Sequence, residues 1–448
     1  MFHRIAIDKL VAWSKSSTRK PLVLRGARQV GKTTLVNLFS KNFDKFVSLN
    51  LDREEEKAIF ENSQSITELV ASLFFLKNVP LESTNVLIFI DEIQNSSKAV
   101  AWLRYFYEEA PQYLVIAAES LLESLIDNQI SFPVGRVSYM PIRPFTFPEF
   151  ILALNEQQSS EILKTIPVPE FAHDKLSQLF RKYTLTGGMP EIVKSYSKNH
   201  DIVALTSIYD ELLTAYIDDV EKYAKSKIHA STLQHVIHNI FREAGSRITY
   251  QGFGNSNYKS REIKEAFYTL EKTFLMNLMF PVTNTEIPLS PNYRKSPKLQ
   301  VLDTGLINFI AGVQNEFFGT KELNDIYRGR IAEHITGQEL AALNYTMTKQ
   351  NHFWTREKSG DAEVDFVYQY NNLAIPIEVK SGKSGKLRSL NEFMERANHN
   401  FAVRVFSDKL SISQSKTRLG KKFHLLNLPF FLVHKIEEYL DWFVSQVK

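Results

Sequence analysis

The sequence predicts an α/β multi-domain chain on three observations. Apolar runs of strand length alternate with helical patterns through the first third, a glycine-bounded turn separates one such run from a helix, and two alternating apolar and acidic runs stand close together near the C-terminus. At 448 residues the chain has room for several domains of about 100–200 residues, each able to bury a core. Hydrophobic residues make up 44% and charged residues 23%, an ordinary globular mixture that excludes a disordered or fibrous class.

The runs of the first third are PLVLRG (21–26), KFVSLNL (45–51), VLIFI (86–90) and YLVIAA (113–118), and the helical patterns between them suit a parallel sheet. Beyond about residue 150, helix-compatible stretches run to Phe241, with Gly187-Gly188-Met189-Pro190 as a turn among them. Residues 228–280 read as helix, turn, helix. Pro281, Pro288, Pro291 and Pro297 suggest a linker or irregular arm, and from about 321 an amphipathic helix leads to strand-like segments near 352–356, 363–369 and 374–380. The expected parts are therefore 1–155, 156–225, 226–282, a linker at 283–320, and 321–448.

No apolar run approaches the roughly 18 residues needed to span a bilayer. Asp8 and Lys9 interrupt the N-terminal MFHRIAIDKLVAW, so no secretory signal and no membrane association are expected. There is no cysteine, which excludes disulfides, thiolate metal sites and cysteine nucleophiles and makes the cytoplasm the expected compartment. A net charge of +4 is too small to name a partner. The histidines show no ligand spacing, and no zinc site is expected.

Gly26-Ala27-Arg28-Gln29-Val30-Gly31-Lys32-Thr33, continued by Thr34, fits G-x-x-x-x-G-K-[ST] between an apolar strand and the helical KTTLVNLFSK. Such a turn frees backbone N–H groups which, with the positive end of the helix, hold the phosphates of a nucleotide. Lys32 is expected to neutralise the β/γ oxygens and Thr33 to coordinate Mg²⁺. The buried run Val86–Ile90 ends in Asp91 and Glu92, which supply a carboxylate for the metal's water shell and one to orient or deprotonate the attacking water. The plainer readings, a tight turn and a solvated acidic strand end, do not require the strand-turn-helix frame that is present.

GARQVGKTTL, FIDEIQ, AAESLL, SFPVGRVSYMPIRPFTFPEF and GGMPEIV, in this order, resemble a large prokaryotic family of AAA-type P-loop ATPases. The resemblance covers about residues 1–200 and continues into the C-terminal region. It implies an additional-strand P-loop core, a helical lid, a winged helix and ATP as the nucleotide. Where that family has Gly before the Ser, this chain has Glu119. Ser120 is the expected sensor of the γ-phosphate, and Glu119 is either a carboxylate that slows turnover or a harmless solvated substitution. Arg136 is the arginine expected to stabilise the transferring phosphoryl group, from the same or a neighbouring subunit, whereas Arg143 reads more simply as structural. In SREIKEAFYTLEKTFLMNLMFP, which resembles part of a winged-helix unit, Lys259, Arg261 and Lys264 lie near the helix start where a DNA-reading helix presents side chains.

Read as strands, AEVDFVYQ places Glu363 and Asp365 on one face and IPIEVK places Glu378 and Lys380 together, with YQYNN as the hairpin between them. Asp365 and Glu378 could then share a divalent cation beside Lys380, as metal-dependent phosphodiester cleavage needs. D-(x)12-E-x-K resembles the PD-(D/E)xK nuclease superfamily, and the resemblance implies a restriction-endonuclease-like α/β domain over about 327–385 with Glu333 as an additional acidic residue. Val364 stands where that motif has Pro. A half-exposed sheet carrying an ion pair is the plainer reading. From 376 to 425 eleven Lys/Arg face four Asp/Glu, which favours a phosphate-bearing partner such as DNA.

Two functions follow. One is an ATP-driven, Mg²⁺-dependent enzyme whose nucleotide state controls a nuclease-like module acting on DNA. The other is a nucleotide-switched, STAND-like regulatory protein that binds a protein partner, alone or as an oligomer, through a catalytically silent tail.

Overall fold

The computed structural model describes residues 2–119, 132–220, 224–312, 329–357, 362–382 and 387–447. Ser120 lies outside them.

The first sheet contains β1 (Leu22–Arg25), β2 (Lys45–Asn50), β3 (Val86–Asp91), β4 (Leu114–Glu119) and β5 (Ser138–Pro141), all parallel in the order β2-β3-β4-β1-β5. β4 therefore stands between the strand that leads into the glycine turn and the strand that ends in Asp91. Four of the five strands follow the expected apolar runs. β5 was not expected: SYMP is short and ends in Pro, but Pro141 sits at an edge of the sheet where no ladder donor is needed.

Helices from Phe147–Ala153 to Thr206–Val220 follow the sheet. Next come the helices Lys227–Ile240 and Ser260–Lys272 and the antiparallel pair β6 (Met276–Met279) and β8 (Lys298–Val301). The stretch expected as a linker is built structure. It holds β8 and the helix Thr304–Ile310, while β7 (Pro281–Val282) just before it pairs in parallel with β9 (His352–Thr355). Leu299, Asp303 and Leu306 are fully buried. The prolines stop regular ladders but do not keep the segment out of the core.

The second sheet, β13-β14-β12-β11-β10-β9-β7, is mixed. β9, β10 (Glu363–Tyr370) and β11 (Leu373–Val379) form an antiparallel meander. The helix Arg388–Arg396 then crosses to β12 (Phe401–Phe406), parallel to β11, and β13 (Ser411–Lys416) and β14 (Lys422–Pro429) complete the sheet. The hairpin expected at YQYNN is present, turning at Asn371 with φ 51°.

One apolar cluster runs from Leu24 through Tyr183 and Leu306 to Ile377 and Phe431, so the parts share a continuous core. The helix Arg330–Ala342 is its hub: His334 Nε2 accepts from the Val301 N–H at 3.1 Å, Gln338 accepts from the Thr304 N–H at 3.0 Å, and Glu339 reaches Tyr183 at 2.7 Å. Gly187 and Gly188 are more than a turn. A Cβ on Gly188 would stand 2.2 Å from Phe145 O, and Asp303 accepts the Gly188 N–H at 2.6 Å, so glycine is required for this close approach.

Candidate functional site

The glycine loop follows β1 and opens the helix Lys32–Phe39. Gly26 must lack a side chain, because a Cβ would stand 2.3 Å from the carbonyl of Ile142 on the neighbouring chain segment. Gln29 (φ 63°) and Gly31 (φ 91°) take left-handed backbone that curls the loop. Lys32, 7% exposed, donates to the carbonyls of Gly26 (2.9 Å) and Ala27 (3.0 Å), and burial lowers its pKa to about 8. The Thr33 hydroxyl donates to Asp91 Oδ2 at 2.6 Å, and burial raises the Asp91 carboxyl above its usual range. Glu92 follows in left-handed backbone (φ 52°) and receives a hydrogen bond from Gln94. A cavity of about 970 Å³ is lined by Gln29, Lys32, Thr33, Asp91, Glu92 and, from the opposite wall, Lys194. The paired hydroxyl and carboxylate form an all-oxygen donor set suited to Mg²⁺, and the cavity has the size of a nucleotide site.

Contacts that sequence reasoning did not name hold this loop. Arg4, buried, donates to Val30 O at 3.1 Å and Arg143 O at 2.7 Å and pairs with Glu149 at 3.0 Å. Arg28 pairs with Asp219 on the helix Thr206–Val220, whose Tyr216 hydroxyl donates to Arg28 O at 2.9 Å. Arg4, Asp219 and Tyr216 carry no sequence signal, since each is an ordinary polar residue on a helix or loop.

Glu119 is not the solvated substitution that one expectation allowed. It is 2% exposed and ion-paired with Arg25, so it is not solvated, and its charge also acts on Lys32 of the loop. Burial raises its pKa to about 7 against the opposing pull of Arg25. Arg136 pairs with Glu108 at 2.9 Å on the surface and does not line the cavity. Arg143 makes no structural ion pair among the described residues. Its Nε is buried without a partner, and burial lowers its pKa to about 10.

The second cluster joins the helix Arg330–Ala342 to β10 and β11. Glu333, Asp365, Glu378 and Lys380 do come together: the Val379 N–H donates to Asp365 Oδ2 at 2.8 Å, and Lys380 donates to Glu378 Oε1 at 2.7 Å. The face is not exposed as expected, for Asp365 is 8% and Glu378 5% accessible. Burial first, then the neighbouring Asp365, raises Glu333 to about 7 and Glu378 to about 8, and burial also raises Asp365. Glu378 Oε2 is buried with no hydrogen-bond partner, and Glu333, Glu363 and Asp365 bring one oxygen each within 4.8 Å of one another. An orphaned carboxylate oxygen beside crowded carboxylates fits a bound divalent cation.

Sequence reasoning missed Lys298, at the start of β8. Its ammonium reaches Glu333 Oε2 (2.9 Å), Glu363 and Asp365 Oδ1 (3.6 Å), and Arg247 also pairs with Glu363. The run SPKLQV gives no hint of it.

The exposed side chains Lys259, Arg261 and Lys264 stand at the start of the helix Ser260–Lys272, followed on the same helix by exposed Tyr268. Among the described residues no helix is long and apolar enough to cross a membrane.

One comparison with known protein families coincides with the first site. Residues 177–316 and 328–431 match two domains of unknown function (DUF8612 and DUF4143). No curated protein matches the sequence. Solved structures that align with the chain include the Walker-type ATPase PABY2304 of Pyrococcus abyssi, at 14% identity over 69% of this chain and 96% of that one with a TM-score of 0.45. The Aeropyrum pernix ORC1 protein in complex with DNA aligns at 14% identity over 70% of this chain and 93% of that one, with a TM-score of 0.30. The Thermotoga maritima RuvB Holliday junction branch migration motor aligns at 15% identity over 62% and 90%, with a TM-score of 0.27. The match that coincides with the glycine loop, Asp91 and the parallel sheet is the family model for an AAA domain over residues 18–151, which supports an AAA-type P-loop ATPase domain in this part of the chain.

Proposed function

We propose that the chain is a Mg²⁺-dependent ATPase whose nucleotide state is passed to a C-terminal nuclease-like centre that acts on DNA. The observation that carries this reading is the helix Arg330–Ala342: Glu333 near its start belongs to the carboxylate cluster, and Glu339 near its end is bonded to Tyr183 of the ATPase-side helix His173–Thr186. A movement of the helices over the nucleotide therefore reaches the second centre through one rigid element.

In the ATPase, Lys32 would exchange the loop carbonyls for phosphate oxygens, and the backbone N–H groups of 29–33 would face the β-phosphate. Mg²⁺, when bound, would supply positive charge that offsets the charge of the phosphates. Thr33 and Asp91 would hold it, and Glu92 would accept a proton from the attacking water. Arg28 ties the loop to Asp219, so phosphate binding would register on the Thr206–Val220 helix. In the tail, Asp365 and Glu378 would hold a divalent ion and Lys380 would position the water beside the phosphodiester. The helix pair with β6 supports a winged-helix reading of 226–282, to which β8 adds a strand from beyond those bounds, and Lys259, Arg261 and Lys264 on its exposed helix start suit a DNA backbone.

ATP hydrolysis and Mg²⁺-dependent cleavage of DNA test the reading together. Hydrolysis is expected to disappear in Lys32→Ala, and cutting in Asp365→Ala and Glu378→Ala. DNA left intact by the wild type under every nucleotide condition would refute the nuclease half. The second reading, a nucleotide-switched interaction protein with a silent tail, is favoured by Lys298 seated among the carboxylates. It expects partners whose capture changes in Lys32→Ala while DNA stays intact.

A further inference from the structure

The carboxylate cluster has a cation of its own. We propose that the Lys298 ammonium holds the place of a second divalent ion, so that the nuclease-like centre takes one metal ion at Asp365 and Glu378. The inference rests on the proposed metal-binding role of those two residues.

The geometry is that of a cation site. Lys298 comes from β8, whereas its oxygens come from two other elements: Glu333 from the Arg330–Ala342 helix, and Glu363 and Asp365 from β10. Its side chain is 7% exposed and its ammonium lies 5.3 Å from the centre of the Phe353 ring, a water-excluding wall that also favours positive charge. The strand is fixed in register by the Val301 N–H bond to His334, one residue beyond Glu333 on the helix.

Charge decides how many further ions fit. Glu333, Glu363, Asp365 and Glu378 face Lys298, Lys380 and Arg247, four carboxylates against three cations. Glu378 Oε2, buried without a hydrogen-bond partner, is where one more cation would complete the set. Hard divalent ions need oxygens at about 2.0–2.6 Å, and an ammonium bonded to Glu333 and Glu363 and 3.6 Å from Asp365 already occupies the space such an ion would take. In phosphoryl-transfer centres a second cation neutralises charge on the leaving oxygen. Here a lysine borne by the middle of the chain fills that role, so the loading of the centre depends on the seating of β8.

The test is Mn²⁺ binding without nucleotide, followed by the resonance of the free ion, in the full chain with Lys32→Ala to silence the glycine loop. Wild-type Lys298 is expected to leave one ion bound per chain, lost in Asp365→Asn. Lys298→Met should bind a second ion, or bind the first about ten-fold or more tightly, and Lys298→Arg should behave as wild type. A folded Lys298→Met chain with unchanged stoichiometry and affinity overturns the proposal while leaving the parent reading intact. Loss of the parent reading would show differently: no ion on the wild type, and one gained in Lys298→Met. If Lys298→Met is unfolded without metal, recovery of a cooperative melting transition on adding Mn²⁺ supports the proposal, and failure to recover overturns it.

Discussion

Tyr183 and Glu339 meet at 2.7 Å in the buried junction between the two halves of the chain. The tyrosine hydroxyl lies 2.8 Å from Phe145 O and receives Gln338 Nε2 at 3.2 Å, and the Phe147 N–H donates to Glu339 Oε1 at 3.2 Å. Burial raises Glu339 to about 8, so its carboxyl depends on these partners for its polar contacts. Tyr183→Phe removes one of them without opening a large cavity. Denaturant unfolding should show a loss of about 1–2 kcal/mol. A double-mutant cycle with Glu339→Gln should give a coupling of at least about 0.5 kcal/mol. Strict additivity would show that the pair does not act as the joint.

The Thr33–Asp91 hydrogen bond separates binding from turnover. Asp91→Asn keeps the size of the side chain and an acceptor for the Thr33 hydroxyl, but removes the negative charge a metal requires. Nucleotide affinity without metal should change by less than about three-fold, while Mg²⁺-dependent hydrolysis falls by about a hundred-fold or more. Equal losses of both, measured by nucleotide titration and phosphate release, would place Asp91 in loop structure instead.

Glu119 makes stability depend on pH in an identifiable direction. Its folded pKa is raised to about 7, above the ordinary 4.5, by burial. Between those values the folded chain holds a proton that the unfolded chain has released, so this group's contribution falls as pH rises and is steady outside the window. The slope from a fully shifted group is at most about 1.4 kcal/mol per pH unit. Glu119→Gln should flatten the stability profile between about pH 4.5 and 7, whatever it does to the absolute value through Arg25. A profile parallel to wild type would contradict the assignment.

Much of the first half is legible in the sequence because a buried parallel strand must be apolar throughout, as Val86–Ile90 is, and because the glycine loop has few physical solutions. The acidic pattern at Glu363, Asp365 and Glu378 is legible for a similar reason, since alternation fixes which residues share a face. What alternation does not give is depth: the same pattern describes a solvated surface and the buried cluster that forms when the 330–342 helix and β8 close over it. Lys298, Asp303 and Gly187 belong to that closure. Each gains its role from a partner more than thirty residues away, Lys298 from Glu333 and Asp303 from Gly188, and the prolines around β8 point toward an irregular arm. Arg25 is hidden likewise, because only the side-by-side pairing of β1 and β4 brings it to Glu119.

The exposed start of the Ser260–Lys272 helix gives the DNA reading a test that does not depend on cleavage. Lys259, Arg261 and Lys264 project into solvent, and no ion pair to them is recorded among the described residues. Tyr268 on the same helix is 61% exposed, with the Lys272 ammonium 4.4 Å from its ring centre. A solvated basic face contributes to DNA affinity through counterion release, so each phosphate contact removed should lower the slope of log affinity against log salt by about 0.9. Arg261→Ala with Lys264→Ala should therefore reduce that slope by about two units and weaken binding equally for unrelated duplexes, without changing the melting temperature. If DNA affinity and its salt slope are unchanged, this helix is not the DNA-facing element. The basic run between 376 and 425 would then be the next surface to neutralise.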